Sequence, residues 1–179
     1  MIQRRNIIVF FIVLPFMLVL QSGARQEIKA SAVKAAWIDH FSKFVEWPNI
    51  NDTTDTFIIK VIGTDELEGY LNRIYDKRTI KNRPVTIEFI KDISEIEFCH
   101  ILYISESERK SLAKIISLIE NRPILTVGST EGYGYDGVII NFYNEQNKVR
   151  FEFNISASKK NDLEVSFRLL EMARIIKRN

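Results

Sequence analysis

Between residues 30 and 48 the apolar positions recur at helical spacing. Val33, Ala36, Trp37, His40, Phe41, Phe44 and Trp47 share one face, and Asp39, Ser42 and Glu46 fall opposite. Pro48 stops that helix. The period then shortens. Phe57-Ile58-Ile59-Lys60-Val61-Ile62 reads as a strand rich in β-branched residues, ended by Gly63-Thr64, and Pro84 to Ile90 alternates as a strand does. Between them Leu67, Leu71 and Ile74 mark the inner side of a short helix. Cys99 to Ile104 is a continuous apolar run, the pattern of a strand covered on both faces. Ser105 and Glu108 have capping-box spacing. Behind them Leu112, Ile115, Ile116 and Ile119 stripe a helix that ends before Pro123, and Ile124 to Val127 is a further strand.

The C-terminal third changes character. Val138 to Tyr143 and Lys148 to Asn154 predict two strands of an antiparallel hairpin, joined by the polar loop Asn144-Glu145-Gln146-Asn147. In the second strand Val149, Phe151 and Phe153 face one side and Arg150, Glu152 and Asn154 the other. A last helix is predicted near Asp162 to Lys177, with Leu163, Leu170 and Ala173 inward and Leu169 and Ile176 on its flank. The order of elements predicts an α/β layered sandwich. Its sheet is mainly parallel, extended by the C-terminal hairpin, with helices on both faces.

Ahead of this pattern lies a different one. Arg4 and Arg5 precede the apolar run Ile7 to Leu20, and Ser22-Gly23-Ala24 follows with small residues. This is the order of a cleavable signal peptide, residues 1–24, leaving a single domain over 25–179 outside the cytoplasm. The apolar run is shorter than the ~20 residues that span a bilayer. An uncleaved anchor is the alternative. Removing two basic residues and no acid takes the formal net charge from +2 to 0, so nothing in the charge points to nucleic acid or an anionic membrane. Cys99 is the only cysteine, which excludes an internal disulfide, and its apolar strand reads as a packed thiol.

The candidate chemistry is sparse. Gly132-Tyr133-Gly134-Tyr135-Asp136-Gly137 satisfies G-x-G-x-x-G, but a strand follows it where a dinucleotide site needs a helix. A loop entering the hairpin is the better reading, with Tyr133 and Tyr135 offered for contact. His40 and His100 are the only histidines, and no ligand set for a metal accompanies them. No nucleophile elbow is present. The expectation is a protein that is not an enzyme and takes no cofactor or metal. Trp37, Phe41, Phe44 and Trp47 are most simply core, with Trp47, at an element end, the one placed to line a pocket.

Several segments, taken in order, resemble one family. Lys34-Ala35-Ala36-Trp37 followed by Phe41-Ser42-Lys43-Phe44-Val45-Glu46-Trp47-Pro48 is similar to the opening helix of the YfiR-like family. Phe57 to Gly63, Cys99 to Ser105, Ile124 to Val127, Gly132, Gly137, Ile140-Asn141-Phe142, Val149 to Asn154 and Leu163 to Ala173 continue the likeness. The resemblance implies an α/β sandwich and a periplasmic, dimeric regulator. Such a regulator binds the periplasmic sensor domain of an inner-membrane signalling enzyme, a diguanylate cyclase or a sensor kinase, and holds it inactive. Its release raises cyclic-di-GMP and favours biofilm. The best-known members carry additional cysteines, absent here, so redox control by an internal disulfide does not carry over. Within this reading Arg150, Glu152 and Asn154, beside Tyr133 and Tyr135, are the candidate partner surface. Pairing of Arg150 and Glu152 with each other or with a neighbouring strand is the simpler alternative. A periplasmic small-molecule binder, with a pocket near Trp47, Tyr133 and Tyr135, is the other functional reading.

Overall fold

The computed structural model describes residues 29–48, 50 and 55–177. The predicted signal peptide lies outside them. In chain order the elements are α1 (Ala30–Phe41), β1 (Val45–Glu46), β2 (Phe57–Ile62), α2 (Glu68–Tyr75), β3 (Thr79–Ile80), β4 (Arg83–Ile90), β5 (Ile101–Ile104), α3 (Leu112–Leu118), β6 (Leu125–Gly128), β7 (Ile140–Glu145), β8 (Lys148–Asn154), α4 (Ile155–Lys160), β9 (Glu164–Val165), α5 (Phe167–Met172) and β10 (Arg174–Ile176). Eight strands form one sheet in the order β10-β8-β7-β6-β5-β2-β4-β3. The pairs from β4 through β7 are parallel, as is β10 on β8, while β7–β8 and β3–β4 are antiparallel. The predicted α/β architecture is the observed one.

Alternate side chains of the central strands enter two separate cores. On one face Phe57, Ile59 and Val61 of β2 pack with Ile101 and Tyr103 of β5 under α1 and α2. On the other face Ile62, Leu102 and Ile104 pack with Cys99 under Leu112 and Ile115 of α3. Burial on both faces is why these strands read as unbroken apolar runs rather than alternating ones. Lys60 is the exception in β2. It is buried, and its ammonium reaches Glu88 Oε2 at 2.9 Å and the Glu95 carbonyl at 2.9 Å. No helix among the described residues is long and apolar enough to cross a membrane.

Four local expectations are corrected. The first helix ends at Phe41, where the Ser42 hydroxyl donates to the Asp39 carbonyl at 2.7 Å. The residues beyond it form β1, which pairs with β9 rather than completing a helical turn. The Ser105 hydroxyl does not cap a helix but bonds Ser107 Oγ, and a capping box forms at Asp92 and Glu95 instead. The hairpin loop is two residues, not four. Glu145 pairs with Lys148, and Gln146 and Asn147 both take positive φ, 48° and 60°, as a type I′ turn requires. The single last helix expected near Asp162 to Lys177 is three pieces, β9, α5 and β10, and a separate short helix, α4, precedes it. Asn154 caps α4 by accepting from the Ala157 N–H at 2.9 Å, α5 ends at Met172, and Arg174 to Ile176 turn into a strand along β8.

Candidate functional site

The glycine-tyrosine loop and the polar side of β8 meet at the end of the sheet where β6 stops and β7 runs on. β6 and β7 pair only at Val127 with Ile140 and at Gly128 with Asn141. Past that point Phe142 to Asn144 of β7 border a cleft of about 470 Å³. Lys34 of α1, Ser129, Tyr135, Tyr143, Glu152 and Arg174 face into it.

The polar row of β8 divides in two. Arg150 is half exposed and pairs with Glu145 at 3.6 Å across the hairpin. Glu152 and Asn154 are buried. The loop covers them: the Asn154 amide donates to the Gly134 carbonyl at 2.8 Å. A Cβ at Gly134 would sit 2.6 Å from Glu152 Oε1 and 2.7 Å from Ile176 Cδ1, so a side chain here would displace the ends of Glu152 and Ile176. The carboxylate of Glu152 accepts from Asn141 Nδ2 at 3.0 Å and from Arg174 Nη2 at 2.5 Å. That second bond ties β10 to β8, and the Arg174 guanidinium lies 3.9 Å over the Tyr143 ring. Glu152 pairs with Arg174, not with its sequence neighbour Arg150. Burial is repaid only because both oxygens are bonded.

The two tyrosines of the loop separate as well. Tyr133 is buried, its hydroxyl donating to the Ser105 carbonyl at 2.9 Å, and pins the loop to the end of β5. Tyr135 is 55% exposed at the cleft. Trp47 lines no surface: it is buried, its indole N–H donates to the His100 carbonyl at 3.0 Å, and its ring meets Phe57 edge-on. Trp47 is thus core, as its simplest reading has it, and lines no pocket, while Tyr133, expected to be offered for contact, is buried instead.

A second polar chain reaches the cleft from below. Lys34 Nζ donates to Ser129 Oγ at 3.0 Å, and Ser129 Oγ lies 2.8 Å from the Tyr103 hydroxyl. Tyr103 donates to Asp65 Oδ2 at 2.8 Å, so its oxygen is left to accept from Ser129. Burial and the Asp65 charge hold the Tyr103 phenol protonated. The chain fixes the ammonium of Lys34 at the wall of the cleft. Sequence reading missed Lys34, Tyr143 and Arg174, because their juxtaposition needs β10 to be a strand.

The remaining candidates are structural. Cys99 is buried and free, with burial pushing its thiol up to about 12, so it is not a reactive thiolate. His100 Nδ1 accepts from the Ile58 N–H at 3.0 Å while the ring stacks on Phe57 at 4.3 Å. Burial, with the nearby Arg83 charge, lowers its pKa to about 4. Among the described residues no group of three or more His, Cys, Asp or Glu is placed to hold a metal ion.

Among solved structures, the chain is similar to a conserved domain protein from Vibrio cholerae O1 biovar eltor strain N16961. The TM-score is 0.56 at 9% identity, over 84% of this chain and 61% of that one. That likeness shows a shared fold, and this chain spans about three fifths of the Vibrio protein. No curated protein matches the sequence. A family model described as YfiR/HmsC-like matches residues 31–174, from the first helix through the arginine that closes the cleft. The match takes in both β8 and the glycine-tyrosine loop, and the chain belongs to the YfiR/HmsC-like family.

Proposed function

We propose that this protein is a periplasmic repressor. It binds the periplasmic sensor domain of an inner-membrane diguanylate cyclase, or of a sensor kinase in the same role, and holds it inactive. The observation that carries the reading is the family match over residues 31–174, a family of periplasmic regulators of cyclic-di-GMP signalling. The site agrees with binding. Tyr135 stands out from a loop that Tyr133 and Asn154 anchor from beneath, and Arg150 is half exposed on the hairpin. Phe167, at the start of α5, is 72% exposed, which is unusual for so large an apolar side chain. Rigid presentation of a few exposed aromatic and arginine side chains is the common anatomy of a binding face.

Repression in this scheme is a difference of affinity: the partner's inactive state is bound more tightly than its active one. The protein acts as a homodimer. Supporting this, β4 residues 85–90 pair only with β2 among the described residues, which leaves a long strand edge open for a second copy. The test is recovery of a cyclase- or kinase-bearing membrane protein on the tagged wild type, and its loss with folded Tyr135→Ala and Phe167→Asp variants. Recovery unaffected by both substitutions would place the binding face elsewhere.

A further inference from the structure

The cleft between β7, α1 and β10 has an imbalance of hydrogen-bonding groups. Its buried acceptors are engaged: Glu152 Oε1 by Asn141, Glu152 Oε2 by Arg174, and Asn141 Oδ1 by the Thr130 N–H at 3.2 Å. Its donors are not exhausted. Lys34 uses one ammonium hydrogen on Ser129 and has no carboxylate partner among the described residues. Arg174 commits Nη2 to Glu152, while a guanidinium carries five N–H groups in all. Phe142, Tyr143 and Val149 supply an apolar and aromatic wall. The volume, about 470 Å³, falls within the range of small-molecule sites. Glu131 is exposed at the rim and disfavours a second negative charge at the mouth.

Position argues the same way. In open α/β sheets ligands sit outside the carboxyl ends of the strands, usually where strand order reverses. Here the reversal lies between β2 and β5, and that crevice is filled, since a Cβ at Gly63 would meet the hydroxyls of Ser105 and Ser107. The open crevice at the same end of the sheet is the one beyond β6.

We propose that this cleft binds a small organic anion with one charged head and a flat or apolar body. The head lies on Lys34 and Arg174 and the body along Tyr143 and Val149. The site goes beyond the repression reading and does not depend on it, because binding is read on the purified protein alone. The hydrogen-bonded chain from Asp65 through Tyr103 and Ser129 holds Lys34 ready, so little ordering accompanies binding.

Calorimetric titration with benzoate, phenyl phosphate and benzylamine tests it on the wild type, Lys34→Gln and Lys34→Arg. Benzoate or phenyl phosphate is expected to bind, and whichever binds tighter names the head group as carboxylate or phosphate. Benzylamine is expected not to bind. Lys34→Gln should weaken the bound anion about tenfold, the worth of one charge-assisted hydrogen bond, and Lys34→Arg should restore most of it. Lys34 is chosen because Arg174 also ties β10 to β8. Benzylamine binding as tightly as the anions, anion affinity untouched by Lys34→Gln, or neither anion binding at millimolar concentration would each overturn the proposal.

Discussion

At the scale of single residues, the polar row of β8 holds two kinds of side chain that look alike in sequence. Glu152 is buried and fastens Arg174 and Asn141. Glu152→Ala strands both partners and should cost about 3 kcal/mol, the low end for breaking a buried pair, since Arg174 is half exposed. Arg150→Ala removes only an exposed pair with Glu145 and should cost ~0–1 kcal/mol. Urea denaturation distinguishes them, and equal losses would contradict the assignment. His100 supplies a pH dependence. Its folded pKa, about 4, lies below the ordinary 6.5, so the unfolded chain binds the proton first. The His100 contribution to stability is therefore constant above about pH 6.5 and falls as pH drops toward 4, by up to about 3 kcal/mol. His100→Gln should flatten that slope. An unchanged slope in the variant would assign the acid sensitivity elsewhere.

At the scale of elements, the turn of the β7–β8 hairpin is the most direct handle. Gln146 and Asn147 both occupy the left-handed region, for which Asn-Gly is the better pair. The double change Gln146→Asn, Asn147→Gly should stabilise by about 1 kcal/mol, or a melting shift of a few degrees. No shift, or a lower melting temperature, would mean that the turn is held from outside. This element also shows what the sequence could convey. The two strands were legible because Phe151 and Phe153 alternate with polar residues. The length of the turn was not, since Asn144 and Glu145 are polar whether they end a strand or form a loop. The last helix failed for a related reason. Leu163, Leu169, Leu170, Ala173 and Ile176 fit a helical stripe, yet Val165, Ile175 and Ile176 are β-branched and suit strands equally. What decides is pairing with β1 and β8, residues distant in sequence. The core reading of Trp47 holds, but its place beyond the end of the first helix is illegible for the same cause, since β1 exists only because β9 is there to meet it. The cleft follows from β10 and was hidden with it.

At the scale of the whole molecule, the middle of the sheet is given over to packing, and the proposed contact surfaces lie toward its two sides. Two cores clamp the parallel strands, and the single thiol and both central polar groups, Cys99, Lys60 and His100, are absorbed into packing. Exposed side chains suited to recognition collect on the C-terminal third, at Tyr135, Arg150 and Phe167, while the open β4 edge lies across the sheet near its other side. A repressor needs both a partner face and a way of being released, and the cleft places Lys34 and Arg174 next to the loop that carries Tyr135. As the proposed repressor, this protein lowers the output of a membrane cyclase. The most direct measurement is cellular cyclic-di-GMP in cells lacking the protein, in cells given it back, and in cells given Phe167→Asp. The level should be raised without the protein, normal with the wild type, and still raised with the folded variant. An unchanged level on removing the protein would contradict the proposed repression.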